Sequence, residues 1–247
     1  MNFVEILYPS CALFLDFDGT LVDIAPQPEA VVVPPPLIHT LERLHQYLGG
    51  ALALISGRPI EQMDEFLRPL VLPAAGVHGA ERRNARGEVT LLGTHPLDLV
   101  EAAALDLVRQ DPRLRVEAKR GSLALHYRQA PELEALCLQT LQRAVEESPG
   151  LTLLRGKMVV EAKPGGASKG AAIEAFMAEA PFAGRTPLFV GDDITDEVGF
   201  ATVQRMQGLG VKVGDGATVA WKRIASPAVF REQLQSAVAA KAGKVSA

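Results

Sequence analysis

Acidic, hydroxyl and amine side chains recur where apolar runs of this chain stop. The first such place is Asp16-Phe17-Asp18-Gly19-Thr20, directly after the apolar run Cys11–Leu15. Two carboxylates two residues apart would share one face of a strand, but a turn at Gly19 frees the backbone there. One carboxylate can then hold a cation and attack phosphorus while the other manages protons. An Asp-x-Asp pair alone is common; after an apolar strand and before Gly-Thr it becomes specific. Ser56-Gly57-Arg58 closes the next run, Ala51–Ile55. Its hydroxyl and backbone N–H can hold phosphoryl oxygens, although Ser-Gly is also an ordinary turn. Gly165-Gly166-Ala167-Ser168-Lys169-Gly170 delivers a lysine just before a helical pattern, with Ser168 suited to cap that helix. It is not a Walker loop, since Lys169 is followed by glycine. The last place is Gly191-Asp192-Asp193-Ile194-Thr195-Asp196-Glu197. Four acids this close repel one another, and a hard cation such as Mg²⁺ relieves the conflict through oxygen ligands.

These groups need a scaffold that brings strand ends together. Cys11–Leu15, Ala51–Ile55 and Pro187–Val190 are continuous apolar runs bounded by turn residues, the pattern of strands buried on both faces of a parallel sheet. Between the first two, Pro34-Pro35-Pro36 opens a helical repeat through Leu37, Leu41, Leu44 and Leu48 that Gly49-Gly50 stops. Strands alternating with helices predict an α/β fold with a doubly wound, Rossmann-like parallel sheet, which binds ligands beyond the carboxyl ends of its strands.

The middle of the chain reads differently. A helix from Leu99 leads to strands Leu114–Lys119 and Ser122–Arg128 around a turn at Arg120-Gly121. A second helix, Pro131–Glu147, leads to Leu151–Leu154 and Lys157–Lys163 around Arg155-Gly156. This predicts an αββαββ insertion at 98–165, with 1–97 and 166–247 forming the core. Side-chain alternation gives each hairpin an apolar and a polar face. In the first, Leu114, Val116, Ala118, Leu123, Leu125 and Tyr127 oppose Arg115, Glu117, Lys119, His126 and Arg128. In the second, Leu151, Leu153, Met158, Val160 and Ala162 oppose Lys157, Val159, Glu161 and Lys163. The polar faces suit either solvent or sugar hydroxyls, which carboxylates accept from and cationic groups donate to.

Composition narrows the function classes. A net charge of −4 argues against a nucleic-acid partner. No run approaches the roughly 18 apolar residues of a membrane span, and Met1–Ser10 lacks the basic start of a secretory signal. The two cysteines, Cys11 and Cys137, sit in apolar contexts without metal-ligand spacing. A soluble, cytoplasmic protein with a small-molecule substrate is expected.

The four motifs, in their order, resemble the haloacid dehalogenase superfamily of phosphatases, and the insertion lies where that superfamily carries a type C2 cap. Within it the chain is most similar to the trehalose-6-phosphate phosphatases. The added features are Gly76-Val77-His78-Gly79-Ala80-Glu81, Glu117-x-Lys119-x-x-Ser122 with His126-Tyr127-Arg128, Gly156-Lys157-x-x-x-Glu161-x-Lys163-Pro164, and Gly-Asp-Asp-x-Thr-Asp-Glu. The resemblance implies that Asp16 is the nucleophile and Asp18 the general acid and base. It implies Mg²⁺ held by Asp16, the Asp18 backbone carbonyl and Asp192, with Asp193 and Asp196 in support. Ser56 and Lys169 would bind the transferring phosphoryl group. Gly57, Arg58, His78, Gly79, Glu117, Lys119, Arg128, Lys157 and Glu161 would contact substrate. The same architecture could serve sucrose phosphate or a mannosyl phosphoglycerate. A receiver domain of signalling also uses acids, Mg²⁺ and a lysine, but lacks a cap and carries its acceptor aspartate after a later strand. A non-catalytic sugar-phosphate binder is the third alternative.

Overall fold

The structure, a computed structural model, describes residues 3–93, 95–156 and 158–242. The chain divides into two compact units, one formed by Met1–Val89 with Ser168–Ala247 and the other by Thr90–Ala167.

The first unit begins with a short helix α1 (Phe3–Ile6), and then alternates strands and helices: β1 (Cys11–Leu15), α2 (Pro35–Tyr47), β2 (Leu52–Ile55), α3 (Ile60–Leu67) and β3 (Ala74–Gly76). Antiparallel β4 (Glu81–Arg83) follows, and then β5 (Val89–Leu91). After the insertion come α6 (Lys169–Met177), β10 (Thr186–Gly191), α7 (Glu197–Arg205), β11 (Leu209–Val213), β12 (Lys222–Ile224) and α8 (Pro227–Ala242). The sheet order is β12-β11-β10-β1-β2-β3-β4-β5, parallel from β12 to β3. This is the α/β architecture with a large parallel sheet that the apolar runs predict. Every residue of β1 and β2 is buried, because helices cover both faces of a parallel sheet. The helix α2 buries Leu37, Thr40, Leu41 and Leu44, and Gly49 and Gly50 take positive φ beyond its end. Phe14, Phe176 and Phe182 pack ring to ring within 6.0 Å at the centre of the core.

The second unit runs α4 (Asp98–Gln110), β6 (Arg115–Lys119), β7 (Ser122–His126), α5 (Glu134–Glu146), β8 (Leu151–Gly156) and β9 (Val159–Pro164). Its four-stranded sheet has the order β6-β7-β9-β8. Leu123, Leu125, Tyr127, Val160 and Ala162 share one buried apolar cluster with Val100, Ala104 and Leu107 of α4 and Cys137 and Leu141 of α5.

The second hairpin turns two residues later than its sequence suggests. Strand β8 continues through Arg155 and Gly156, and Gly156 pairs with Val159. An Arg-Gly pair reads as a turn, but here the glycine is needed inside the strand: a Cβ on it would lie 2.8 Å from Val159 Cγ1. Met158 therefore sits in the turn at φ 62°, exposed, and not on the apolar face.

Candidate active site

Strand β1 lies between β10 and β2, so the loops leaving these strands diverge at the carboxyl end of β1. Asp16 is the first residue beyond that end. Its N–H donates to Val190 O at 2.9 Å, which extends the β1–β10 pairing by one step and holds Asp16 beside the start of the 191–197 loop. Gly19, at φ 78°, turns the chain back, and no other residue would fit, because a Cβ there would lie 2.2 Å from Asp192 Oδ2.

Lys169 joins the two acidic loops. Its Nζ donates to Asp16 Oδ1 and to Asp196 Oδ1, each at 2.6 Å, and both ion pairs are buried. Ser168 caps α6 by accepting from Ala171 N–H at 3.0 Å, which fixes the first helical residue, Lys169. The other Asp196 oxygen accepts the N–H groups of Asp192 and Asp193 at 2.9 Å. Asp193 in turn forms a capping box with Asp196. Asp16, Asp192 and Asp196 each offer a carboxylate oxygen within 4.8 Å of the others, a set that could hold a metal ion. With both Asp196 oxygens already engaged, Asp16 and Asp192 are the better donors of the three.

The electrostatics of this cluster follow from its burial. Burial, then Asp196, push the Asp192 carboxyl up to about 6, with Lys169 opposing. Burial also pushes Asp16 well above the ordinary carboxylate range, with Lys169 opposing and Asp196 and Asp192 adding to the shift. Burial disfavours the charge on Lys169, yet Asp16 and Asp196 hold its ammonium above the usual lysine range. Asp16, Asp192 and Asp196 outnumber Lys169, the one cation ion-paired to them among the described residues, so the cluster carries an excess of negative charge when all are ionised. A divalent cation matches that excess; without one, protons are taken up instead.

Asp18 points elsewhere. Both its oxygens accept from Arg58, Nε to Oδ2 at 2.6 Å and Nη2 to Oδ1 at 2.7 Å. Arg58 is itself held by Gln62 Oε1 at 2.7 Å and lies over the Phe66 ring, 5.1 Å from its centroid. The fork thus fixes the Asp18 carboxylate rather than standing open. Ser56 is buried, and its Oγ accepts from Arg58 N–H at 3.2 Å.

The Ser56–Arg58 loop is gripped by the 76–81 segment. His78 N–H donates to Ser56 O at 2.9 Å and Val77 N–H to Arg58 O at 3.0 Å. Both residues adopt positive φ, 50° for Val77 and 54° for His78, which is costly for a β-branched residue. The strained turn lays the His78 ring on Gly57, where a Cβ would meet it at 2.6 Å. Gly79 backs onto the Ser168 carbonyl. Glu81, buried, accepts the Ile60 N–H at 2.5 Å at the start of α3.

The insertion sheet carries Glu117, Lys119 and Glu161 on the face opposite the apolar cluster. Glu117 pairs across the sheet with Ala124, and Ala124 with Glu161. Glu161 is 3% exposed, and its carboxylate receives Ser122 Oγ at 2.7 Å and Lys119 Nζ at 3.3 Å. Glu117 Oε2 lies 2.8 Å from His126 Nε2. Burial disfavours ionised Glu117, but His126 and Lys119 hold it below the ordinary range. Arg128 is exposed just beyond β7. Lys157 lies outside the described residues.

Lys212, outside the motifs legible in the sequence, is buried on β11 and donates to the main-chain carbonyl of Asp192. Its signal was a single lysine inside the apolar strand Val211-Lys212-Val213.

Residues 14–229 match the family model described as trehalose-phosphatase. The chain belongs to the trehalose-phosphatase family. It is 48% identical over 227 residues to the trehalose-6-phosphate phosphatase of Escherichia coli K12, covering 89% of this chain and 84% of that one. It is 44% identical over 208 residues to a probable trehalose-phosphate phosphatase of Sinorhizobium fredii, covering 82% and 77%. Among solved structures it resembles the C-terminal domain of C. albicans trehalose-6-phosphate phosphatase, with a TM-score of 0.83, 20% identity and coverage of 96% and 94%. That likeness places the family's fold across nearly the whole chain. No described helix of this trehalose-phosphatase family member is long and apolar enough to cross a membrane.

Proposed function

We propose that the chain hydrolyses trehalose 6-phosphate to trehalose and phosphate through a phosphorylated Asp16, with Mg²⁺ as cofactor. The observation that carries this reading is the buried contact of Asp16 with Lys169 beside Asp192 and Asp196, at the end of the central strand of a trehalose-phosphatase family member. Carboxylate donors with an excess of negative charge suit Mg²⁺, held by Asp16, the Asp18 carbonyl and Asp192, with Asp193 and Asp196 supporting. When bound, it would neutralise charge on the phosphoryl oxygens.

An Asp16 oxygen attacks phosphorus, and the bond to the sugar oxygen breaks. Asp18 is the general acid toward that leaving oxygen, and one of its oxygens has to leave the Arg58 fork to carry the proton. The resulting Asp18 carboxylate then takes a proton from the water that attacks the phosphorylated Asp16, which releases phosphate and restores both residues. In the structure Arg58 holds Asp18 in place through its two hydrogen bonds. Lys169 and Ser56 hold the transferring group, Lys169 as a fixed charge and Ser56 as a hydroxyl donor. His78, Gly57 and Gly79 line the same loops. Glu117, Lys119, Glu161, Arg128 and Lys157 of the insertion bind sugar hydroxyls.

Metal removal tests this reading. Treatment with chelator is expected to remove phosphate release from trehalose 6-phosphate, and added Mg²⁺ to restore it. Asp192→Ala is expected to raise the Mg²⁺ requirement far more than Glu197→Ala, because Glu197 instead accepts the Val219 N–H at 2.7 Å. Full activity in chelator, with metal shown to be absent, contradicts the proposed site.

A further inference from the structure

Lys212 is a buried lysine whose presence the fold alone does not explain. It lies next to the carboxyl end of β11, 5% exposed, between the buried Val211 and Val213. A lysine this deep is ordinarily paired with an acid. Among the described residues Lys212 forms no ion pair; its Nζ donates to the main-chain carbonyl of Asp192. In the parallel pairing of β10 with β11 it is in register with Gly191, the residue just before Asp192. Register partners project to the same face of a sheet. Over Gly191 that face is filled by Asp196, whose Cγ would lie 2.4 Å from a Cβ built on the glycine. Lys212 therefore rises on the side of the sheet that carries the acidic cluster.

The consequence is a peptide held at both ends. Asp192 N–H donates to Asp196 Oδ2 at 2.9 Å, and Asp192 C=O accepts from Lys212. The Asp192 main chain is thus anchored on both sides, and its carboxylate offers an oxygen within 4.8 Å of oxygens of Asp16 and Asp196. Lys169 differs in kind, since it touches the carboxylates themselves. We propose that Lys212 is a positioning residue for the cation site: it fixes the Asp192 backbone so that the carboxylate meets the ion without reorganising. This rests on the reading of Asp16 and Asp192 as cation ligands. Residues that orient a metal ligand commonly change affinity by about 10–100-fold when removed.

The test is a Mg²⁺ titration of wild type, Lys212→Met and Lys212→Arg, followed both by thermal unfolding without substrate and by phosphate release. Lys212→Met is expected to raise the half-saturating Mg²⁺ concentration about tenfold or more in both readouts. Its kcat at saturating Mg²⁺ should stay close to wild type, and Lys212→Arg, which keeps a donor, should recover part of the affinity. A merely structural lysine would lower the unfolding temperature while leaving the Mg²⁺ midpoint unchanged, and that result, or a lower midpoint, overturns the proposal. Should Lys212→Met fail to fold, the same titration on Lys212→Gln decides by the same criterion. A wild-type protein that shows no Mg²⁺-dependent shift would instead refute the cation reading on which the inference stands.

Discussion

Replacing Asp16 with asparagine is expected to lower turnover by roughly 10⁴-fold or more, the scale seen when a covalent nucleophile is removed. An amide oxygen is a poor nucleophile toward phosphorus and supplies no negative charge to a cation. Unfolding of the variant should show that the loss is chemical. Asp16 is an acid whose carboxyl burial pushes upward, so ionising it already costs the metal-free fold free energy. Asparagine removes that cost, and Lys169 keeps Asp196 as a partner. The metal-free variant should therefore unfold at a temperature no lower than wild type. In wild type quenched during turnover, the peptide containing Asp16 should carry a labile phosphate. Label found reproducibly on Ser56 instead would contradict the mechanism.

Truncating Glu161 is expected to cut kcat/KM for trehalose 6-phosphate by tens- to thousands-fold while sparing a small generic substrate such as p-nitrophenyl phosphate. Each buried sugar hydroxyl that loses its partner costs about 1–3 kcal/mol, more where the partner was charged. If these contacts also spend binding energy on reaching the reactive state, kcat for the sugar substrate falls together with affinity. Glu161→Ala also strands two partners, because Lys119 and Ser122 donate to this carboxylate. Two further variants separate recognition from stability. Glu161→Gln keeps an acceptor for Ser122, and Arg128→Ala alters an exposed residue outside the hydrogen-bonded sheet. Equal losses on both substrates would indicate misfolding or a role in the chemistry. Unchanged kinetics on both would mean that this face does not read the sugar.

The parallel sheet was legible because β1, β2 and β10 are buried on both sides and so are written in uninterrupted apolar residues. The acidic loops were legible for the converse reason, since nothing about a core calls for Asp-x-Asp or Asp-Asp-x-x-Asp-Glu at a strand end. Partner choice within the site was not legible. The resemblance implies that Arg58 contacts substrate, and only three-dimensional proximity reveals that it also forms a fork on Asp18, forty residues earlier in sequence. Lys212 was hidden because alternation treats one lysine in a strand as a solvent-facing position. The strained Val77–His78 turn was also invisible, since a valine gives no hint of positive φ. The second hairpin misled through its glycine, which marks a close strand approach and not a bend.

Substrate identity is the central claim, and phosphate release across a panel of sugar phosphates with Mg²⁺ present tests it most directly. Trehalose 6-phosphate, sucrose phosphate, mannosyl phosphoglycerate and glucose 6-phosphate would be compared by kcat/KM under one set of conditions. Trehalose 6-phosphate is expected to be turned over with the highest kcat/KM, with trehalose and phosphate appearing in equal amounts. A higher kcat/KM on any other member of the panel, or no release from trehalose 6-phosphate, would contradict the claim.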